Sequence, residues 1–141
     1  MAIAPTAEQM IDLVDRAPEG NLYMLNLLKF KDKAEYADGR ETTLTGADAY
    51  ALYGQGVTKL IAELGGRLVW NGRPNTLVIG EGELAWDAVA IVEYPSIEAF
   101  QKMTASPDYE ALHVHREAGL AHQLLINCLN HEQLMAGLGG R

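Results

Sequence analysis

The sequence predicts an α+β domain with the element order β-α-β-β-α-β, preceded by one extra short helix. Three observations carry that prediction. The stretch Asn21-Leu22-Tyr23-Met24-Leu25-Asn26-Leu27-Leu28-Lys29-Phe30 is apolar on both parities, as a strand covered on both faces must be. Residues 86–94 repeat the feature, with Trp86, Ala88, Ala90, Val92 and Tyr94 against Asp87, Val89, Ile91 and Glu93. Between them, Tyr50, Tyr53, Val57, Leu60, Ile61 and Leu64 recur at helical spacing and make one apolar face.

At 141 residues the chain suits one domain with a modest core. Lys plus Arg is 11 and Asp plus Glu is 19, for a net charge of −8. That balance argues against nucleic acid and anionic membranes as main partners, because both need a basic face. The single Cys128 permits no internal disulfide and reads as a buried, inert thiol. The opening Met1-Ala2-Ile3-Ala4-Pro5 lacks the basic-then-apolar pattern of a secretory signal. No apolar run reaches membrane-spanning length. The expectation is a soluble cytoplasmic protein.

The elements follow in order. Thr6 and Gln9 have capping-box spacing ahead of Met10, Ile11 and Val14, which predicts a helix over 7–15. The central strand occupies 21–30. Residues 31–45 are long and polar, with Asp38-Gly39 placed to close a small hairpin. They read as a solvated excursion or as a lid over a pocket. Thr45 caps a helix over 46–64, in which Gly54 and Gly56 weaken the middle or allow close packing on a sheet. Residues 67–71 and 76–79 read as two strand pieces, with a break at Gly72-Arg73-Pro74 typical of an edge. The strand over 86–94 comes next. Ser96 caps a helix over 97–104, and Ser106-Pro107 starts another that runs to about 118. A last strand covers 123–129, and 131–141 reads as a loose tail. The domain core is thus 21–129.

Without the extra helix, this order is the split βαβ, ferredoxin-like arrangement. Its antiparallel sheet should run 4-1-3-2, with the two most apolar strands central. Two helices cover one face of such a sheet. The other face is apolar as well, so a second copy should bury it. The sequence therefore predicts a homodimer with sheets face to face.

Met24-Leu25-Asn26-Leu27-Leu28-Lys29-Phe30, Trp86-Asp87-Ala88-Val89, Tyr94-Pro95-Ser96, Phe100, Ser106-Pro107-Asp108-Tyr109 and Arg116 together resemble the domain-of-unknown-function 1330 family. The resemblance spans roughly residues 22–127. It implies membership of the dimeric α+β-barrel proteins, a group that includes cofactor-free monooxygenases, haem-degrading oxygenases and lactone isomerases. It implies a fold and a pocket between sheet and helices, and no particular reaction. The N-terminal helix and residues 31–45 exceed the shortest family members.

Several residues are candidates for chemistry, each with a structural alternative. Asn26, flanked by Leu25 and Leu27, either pairs with backbone or water, or steadies an oxyanion or enolate in a pocket. His113 and His115 are two apart on a helix and point to different sides, so they do not chelate one metal. Tyr109, His113 and Arg116 share a face. His113 is a candidate proton carrier or an ordinary boundary residue. Arg116 either pairs with Asp108, Glu117 or a sheet carboxylate, or anchors an anionic or carbonyl-bearing substrate. Trp70 and Trp86, with Tyr53 and Tyr109, either line a pocket or serve core and dimer contacts. Asp87, Glu93 and Lys29 lie on apolar strands. They read as a Lys29–Glu93 ion pair or as the source of a general base, Asp87. No phosphate loop, Ser-His-Asp order, CxxC motif or haem axial-ligand set is evident, so no metal or organic cofactor is expected.

Two functions remain open from sequence. One is a cofactor-free enzyme, monooxygenase- or isomerase-like, acting on a small enolisable or aromatic substrate. Asn26, His113 and Asp87 would carry the chemistry, and Arg116, Trp70, Trp86, Tyr53 and Tyr109 would position the substrate. The other is a homodimer that binds a ligand, or serves structurally, without catalysis.

Overall fold

The computed structural model describes residues 2–139. Its elements are α1 (Ala7–Arg16), β1 (Leu22–Phe30), α2 (Gly46–Glu63), β2 (Arg67–Gly72), β3 (Ala88–Tyr94), α3 (Ile97–Thr104), α4 (Pro107–Gly119), β4 (Leu120–Cys128) and α5 (His131–Gly139). The four strands form one antiparallel sheet in the order β2-β3-β1-β4. This is the ferredoxin-like arrangement, with β1 and β3 central. Helix starts follow local chemistry. Thr6 and Thr45 make reciprocal capping boxes with Gln9 and Asp48, and Ser96 and Ser106 cap α3 and α4. Each side-chain oxygen accepts a backbone N–H that the first helical turn leaves unpaired.

Antiparallel register sorts β1 by parity. Leu22, Met24, Asn26 and Leu28 face the helices, where Leu22, Met24 and Leu28 are buried with Tyr53, Val57, Ile61 and Tyr94. Tyr23, Leu25, Leu27 and Lys29 face the opposite way. There Leu25 stands between Ile91 and Ile126, and Leu27 between Val89 and Leu124. Among the described residues no helix covers that face, and Leu124, Ile126 and Trp70 remain exposed.

Helices α2 and α4 meet with almost no side chain between them at one end. A Cβ on Gly46 would collide with the Lys31 carbonyl, and one on Gly119 with the Gly46 carbonyl. Glycine at both positions permits this backbone contact. The middle glycines of α2 play a different part from the sheet packing expected of them. Gly54 has open space beside it, and Gly56 abuts Leu112 of α4.

Three expectations fail. Residues 76–79 form no strand. They lie beyond the end of β3 and have no ladder to join, and Val78 and Ile79 are 84% and 90% exposed. The edge strand β2 does break at Gly72, where it ends, and it carries a further irregularity between Leu68 and Trp70. Residues 131–139 are helical rather than loose, because the Asn130 side chain accepts from Gln133 N at 2.8 Å and Gln133 Oε1 accepts from Asn130 N at 2.9 Å. The last residues of the expected tail, 140 and 141, lie outside the described residues.

The third failure concerns residues 31–45 as a lid: most of them are exposed, as a solvated excursion would be, but the segment is anchored against the helices. Ala34 and Tyr36 are buried against Ala49 and Ala118. The Tyr36 hydroxyl lies 2.7 Å from His115 Nδ1, and Arg40 stacks on the Tyr36 ring. Asp38-Gly39 does turn the chain, with Gly39 N donating to Tyr36 O, but only the isolated Lys33–Thr45 bridge follows it.

Candidate functional site

A cavity of about 1270 Å³ lies between the sheet and the helices. Its floor is β1 and β3, through Met24, Asn26, Leu28, Ala88, Ala90 and Val92. The two alanines leave room that larger side chains would fill. Tyr50 and Tyr53 of α2 and Tyr109, His113 and Arg116 of α4 form the roof. The N-terminal residues 2–5, with Gln9 and Leu13 of α1, also line it.

Four of the polar lining groups, with Glu117 behind them, form a chain of hydrogen bonds from floor to roof. Asn26 Nδ2 faces the carbonyls of Met24 and Ala90, each at 3.3 Å. Asn26 Oδ1 accepts from Gln123 Nε2 at 2.8 Å. Gln123 Oε1 accepts from the Arg116 guanidinium, which also donates to the Ile3 carbonyl. Arg116 Nη1 lies 3.4 Å from His113 Nε2. His113 Nδ1 lies 2.6 Å from Glu117 Oε1. A carboxylate at Nδ1 holds the proton there and turns the Nε2 lone pair outward, toward Arg116.

The rest of the roof is aromatic. Tyr53 and Tyr109 share a hydroxyl–hydroxyl hydrogen bond of 3.1 Å. Phe30, Tyr50, Tyr53 and Tyr109 run ring to ring at centroid separations of 5.2, 5.2 and 5.9 Å. Burial pushes the Tyr50 hydroxyl up to about 12, with the Arg116 charge opposing part of the rise. Burial raises Tyr53 and Tyr94 as well. At neutral pH these phenols stay protonated, so they offer hydrogen bonds and cannot act as bases.

Asn26, His113, Arg116, Tyr53 and Tyr109 all line the cavity. Asp87 reaches its rim, where it accepts from Phe30 N at 2.9 Å and pairs with Lys29 at 3.3 Å. The expected Lys29–Glu93 pair does not form. The ladder sets Glu93 opposite Tyr23, at the far end from Lys29, and Glu93 takes Arg67, Asn21 and Tyr23 instead. Arg116 has no carboxylate partner among the described residues, since Glu117 is held by His113.

The tryptophans lie outside the cavity. Trp86 packs edge-on against His122, and Trp70 is 55% exposed on the edge strand. Sequence reasoning passed over Gln123, Tyr50 and the Glu117–His113 pair. The last was legible as an i, i+4 spacing on α4. Gln123 was not, because its meeting with Asn26 depends on the β1–β4 register. Among the described residues, no group of three or more His, Cys, Asp or Glu gathers as a metal site, and no helix is long and apolar enough to cross a membrane.

Fold and cavity define a ferredoxin-like α+β protein with a tyrosine-roofed chamber between sheet and helices. The family model described as a domain of unknown function (DUF1330) matches residues 34–127, and the chain belongs to that family. It is similar to two crystal structures of RPA0582. One, of the methylated protein, is 40% identical, covers 92% of this chain and 94% of that one, and has a TM-score of 0.83. The other, described as a protein of unknown function from Rhodopseudomonas palustris, is 37% identical over 89% and 94%, with a TM-score of 0.80. The Arabidopsis thaliana protein At3g17210 is 15% identical over 77% and 94%, with a TM-score of 0.51, and shares the fold alone. No curated protein matches the chain.

Proposed function

We propose that this protein binds a small enolisable or aromatic molecule in the cavity and moves a proton on it without help from a metal or organic cofactor. The observation that supports this reading most directly is the polar chain Asn26–Gln123–Arg116–His113–Glu117, which runs beside the tyrosines and alkyl side chains of the cavity. A mostly apolar pocket with a few convergent polar groups is the usual form of a small-molecule site. His113 Nε2, oriented by Glu117, takes a proton from the carbon beside a carbonyl. The C–H electron pair moves to the carbonyl oxygen, and Arg116 and Asn26 balance the charge that develops there. Return of the proton to the same or a neighbouring carbon completes an exchange or an isomerisation, with no oxidant required. Trp70 and Trp86 take no part in this scheme.

Binding without chemistry is the second reading, and one observation favours it. The polar groups already satisfy one another, and among the described residues no buried side-chain polar atom lacks a partner. Proton NMR in D2O separates the two, with 1-phenylpropan-2-one and phenylpyruvate as probes. The enzyme reading expects loss of the benzylic signal faster than in buffer, with a drop of about 10²-fold or more for His113→Gln. A wild-type rate equal to that of buffer leaves only the binding reading.

The same proposal includes a homodimer. The face carrying Leu25, Leu27, Val89, Ile91, Leu124 and Ile126 has no helix over it. A second copy offers the matching apolar surface in a closed two-fold contact. Light scattering that returns the mass of one chain at micromolar concentration removes this part of the proposal.

A further inference from the structure

Arg116 is the one charged residue on the cavity side of α4 whose partners are all neutral. It is held by the Gln123 side-chain carbonyl and the Ile3 main-chain carbonyl, with His113 beside it. A half-buried guanidinium among tyrosines and alkyl groups is stabilised best by an anion. The lining as a whole has the same bias. Arg16, Arg73 and Arg116 face it against Asp12 and Asp87, although the chain carries a net charge of −8. Asp87 is already engaged by Lys29 and Phe30 N.

The Ile3 carbonyl belongs to a weakly held strap. Besides its bond to Arg116, the strap is fixed, among the described residues, by one backbone hydrogen bond to the sheet, in which Gln123 N donates to Ala2 O at 3.0 Å. The helix that follows, α1, contains no buried residue and rests on the core through Leu13. Elements with so little burial open at low cost.

We infer that the ligand of this cavity carries a carboxylate, and that this carboxylate takes the place of the Ile3 carbonyl on Arg116 and releases the N-terminal strap. The inference rests on the cavity being a small-molecule site, as proposed above. A carboxylate matches the guanidinium fork with two acceptor oxygens where the strap offers one. It also brings the carbon skeleton of the ligand beside His113 Nε2, since His113 and Arg116 are neighbours on one face of α4. The ligand class is therefore an aryl or alkyl carboxylic acid, with the strap as a reversible stand-in for its acid group.

The experiment compares 2-naphthoate with 2-naphthamide, an anion and a neutral molecule of nearly the same shape. Calorimetry on the full chain should show naphthoate binding at least about tenfold more tightly. Arg116→Gln should erase the difference, and Arg116→Lys, which keeps the charge but not the fork, should restore only part of it. Hydrogen exchange should report the strap: saturating naphthoate speeds exchange at the Gln123 amide and along α1, and naphthamide does not. Equal affinity for the two compounds overturns the carboxylate inference and leaves the cavity reading standing. Binding of neither at millimolar concentration overturns both. Tighter binding of naphthoate with Gln123 exchange unchanged or slowed overturns the exchange of acid for strap.

Discussion

The two faces of the sheet are built from alternate residues of the same strands, yet they solve different problems. On the helix side, Met24 and Leu28 are packed, and Asn26 between them opens into a cavity with a hydrogen-bonded floor. On the other side, Leu25 and Leu27 join Ile91, Val89, Leu124 and Ile126 in a surface with no polar group at its centre. Its charges sit at the two ends, as Lys29–Asp87 and Arg67–Glu93. One face carries a cavity, and the other is the face that the proposal above assigns to a second copy. A chain of one strand pattern can do both because side chains alternate and each face is fitted separately.

The largest effect expected from this contrast is on assembly. Leu27→Asp puts a charge at the centre of the open face, between Val89 and Leu124. Burying that carboxylate without a partner costs several kcal/mol, so the proposed dimer should dissociate to the 15.4 kDa chain with its helix content unchanged. Analytical ultracentrifugation with circular dichroism reads both. A variant that stays dimeric breaks the assignment of this face to a second copy.

The helix face should reveal itself through pH. The folded state holds the Tyr50 proton to about 12 against an ordinary value of 10.0, and Tyr53 and Tyr94 shift the same way. A raised folded-state value means that the native chain binds more protons than the unfolded one above pH 10. The stabilisation is complete below pH 10 and is lost as pH rises toward 12, by roughly 2–3 kcal/mol from Tyr50 alone. Denaturant melts between pH 9 and 12, with Tyr50→Phe as the control, measure it. Equal pH slopes for the two proteins would show that the Tyr50 hydroxyl is wetter than the packing implies.

Asn26→Leu tests the floor more gently. The swap is close in volume and leaves Gln123 Nε2 without its 2.8 Å acceptor. A loss of about 1–2 kcal/mol follows if that amide stays dry. A neutral or stabilising result would mean that water in the cavity replaces the asparagine, and that Asn26 is free to serve a ligand.

What could be read from the sequence divides along the same line between local and distant. The caps at Thr6, Thr45, Ser96 and Ser106 are contacts over three residues, and all four are present. The apolar parity of β1 and β3 placed them at the centre of the sheet. Register is not local. The partner of Lys29 is Asp87 rather than Glu93, since pairing Tyr23 with Glu93 leaves Asp87 level with Lys29. The docking of Tyr36 on His115 joins residues far apart in sequence, and polarity alone gave no sign of that anchor. The helix over 131–139 was missed for a different reason. Its Asn130–Gln133 cap was local and visible, but glycine-rich composition at the end of the chain argued more loudly for a coil.

Gly54→Ala should have the smallest effect, and it asks whether the roof of the cavity is hollow. Gly54 sits in the middle of α2 and lines the chamber, and nothing lies within 4 Å of where its Cβ would be. The substitution removes backbone freedom from the unfolded chain and adds no collision, so the protein should gain about 0.5–1 kcal/mol. Gly56, two residues on, gives the contrast. A Cβ there collides with the Leu112 side chain of α4, so Gly56→Ala must shift Leu112 or part the helices, and it should be neutral to destabilising. Thermal melts of the two variants suffice. If Gly54→Ala loses stability as Gly56→Ala does, then α2 lies closer to the sheet in solution than the chamber requires, and the contrast between a hollow face and a mating face narrows accordingly.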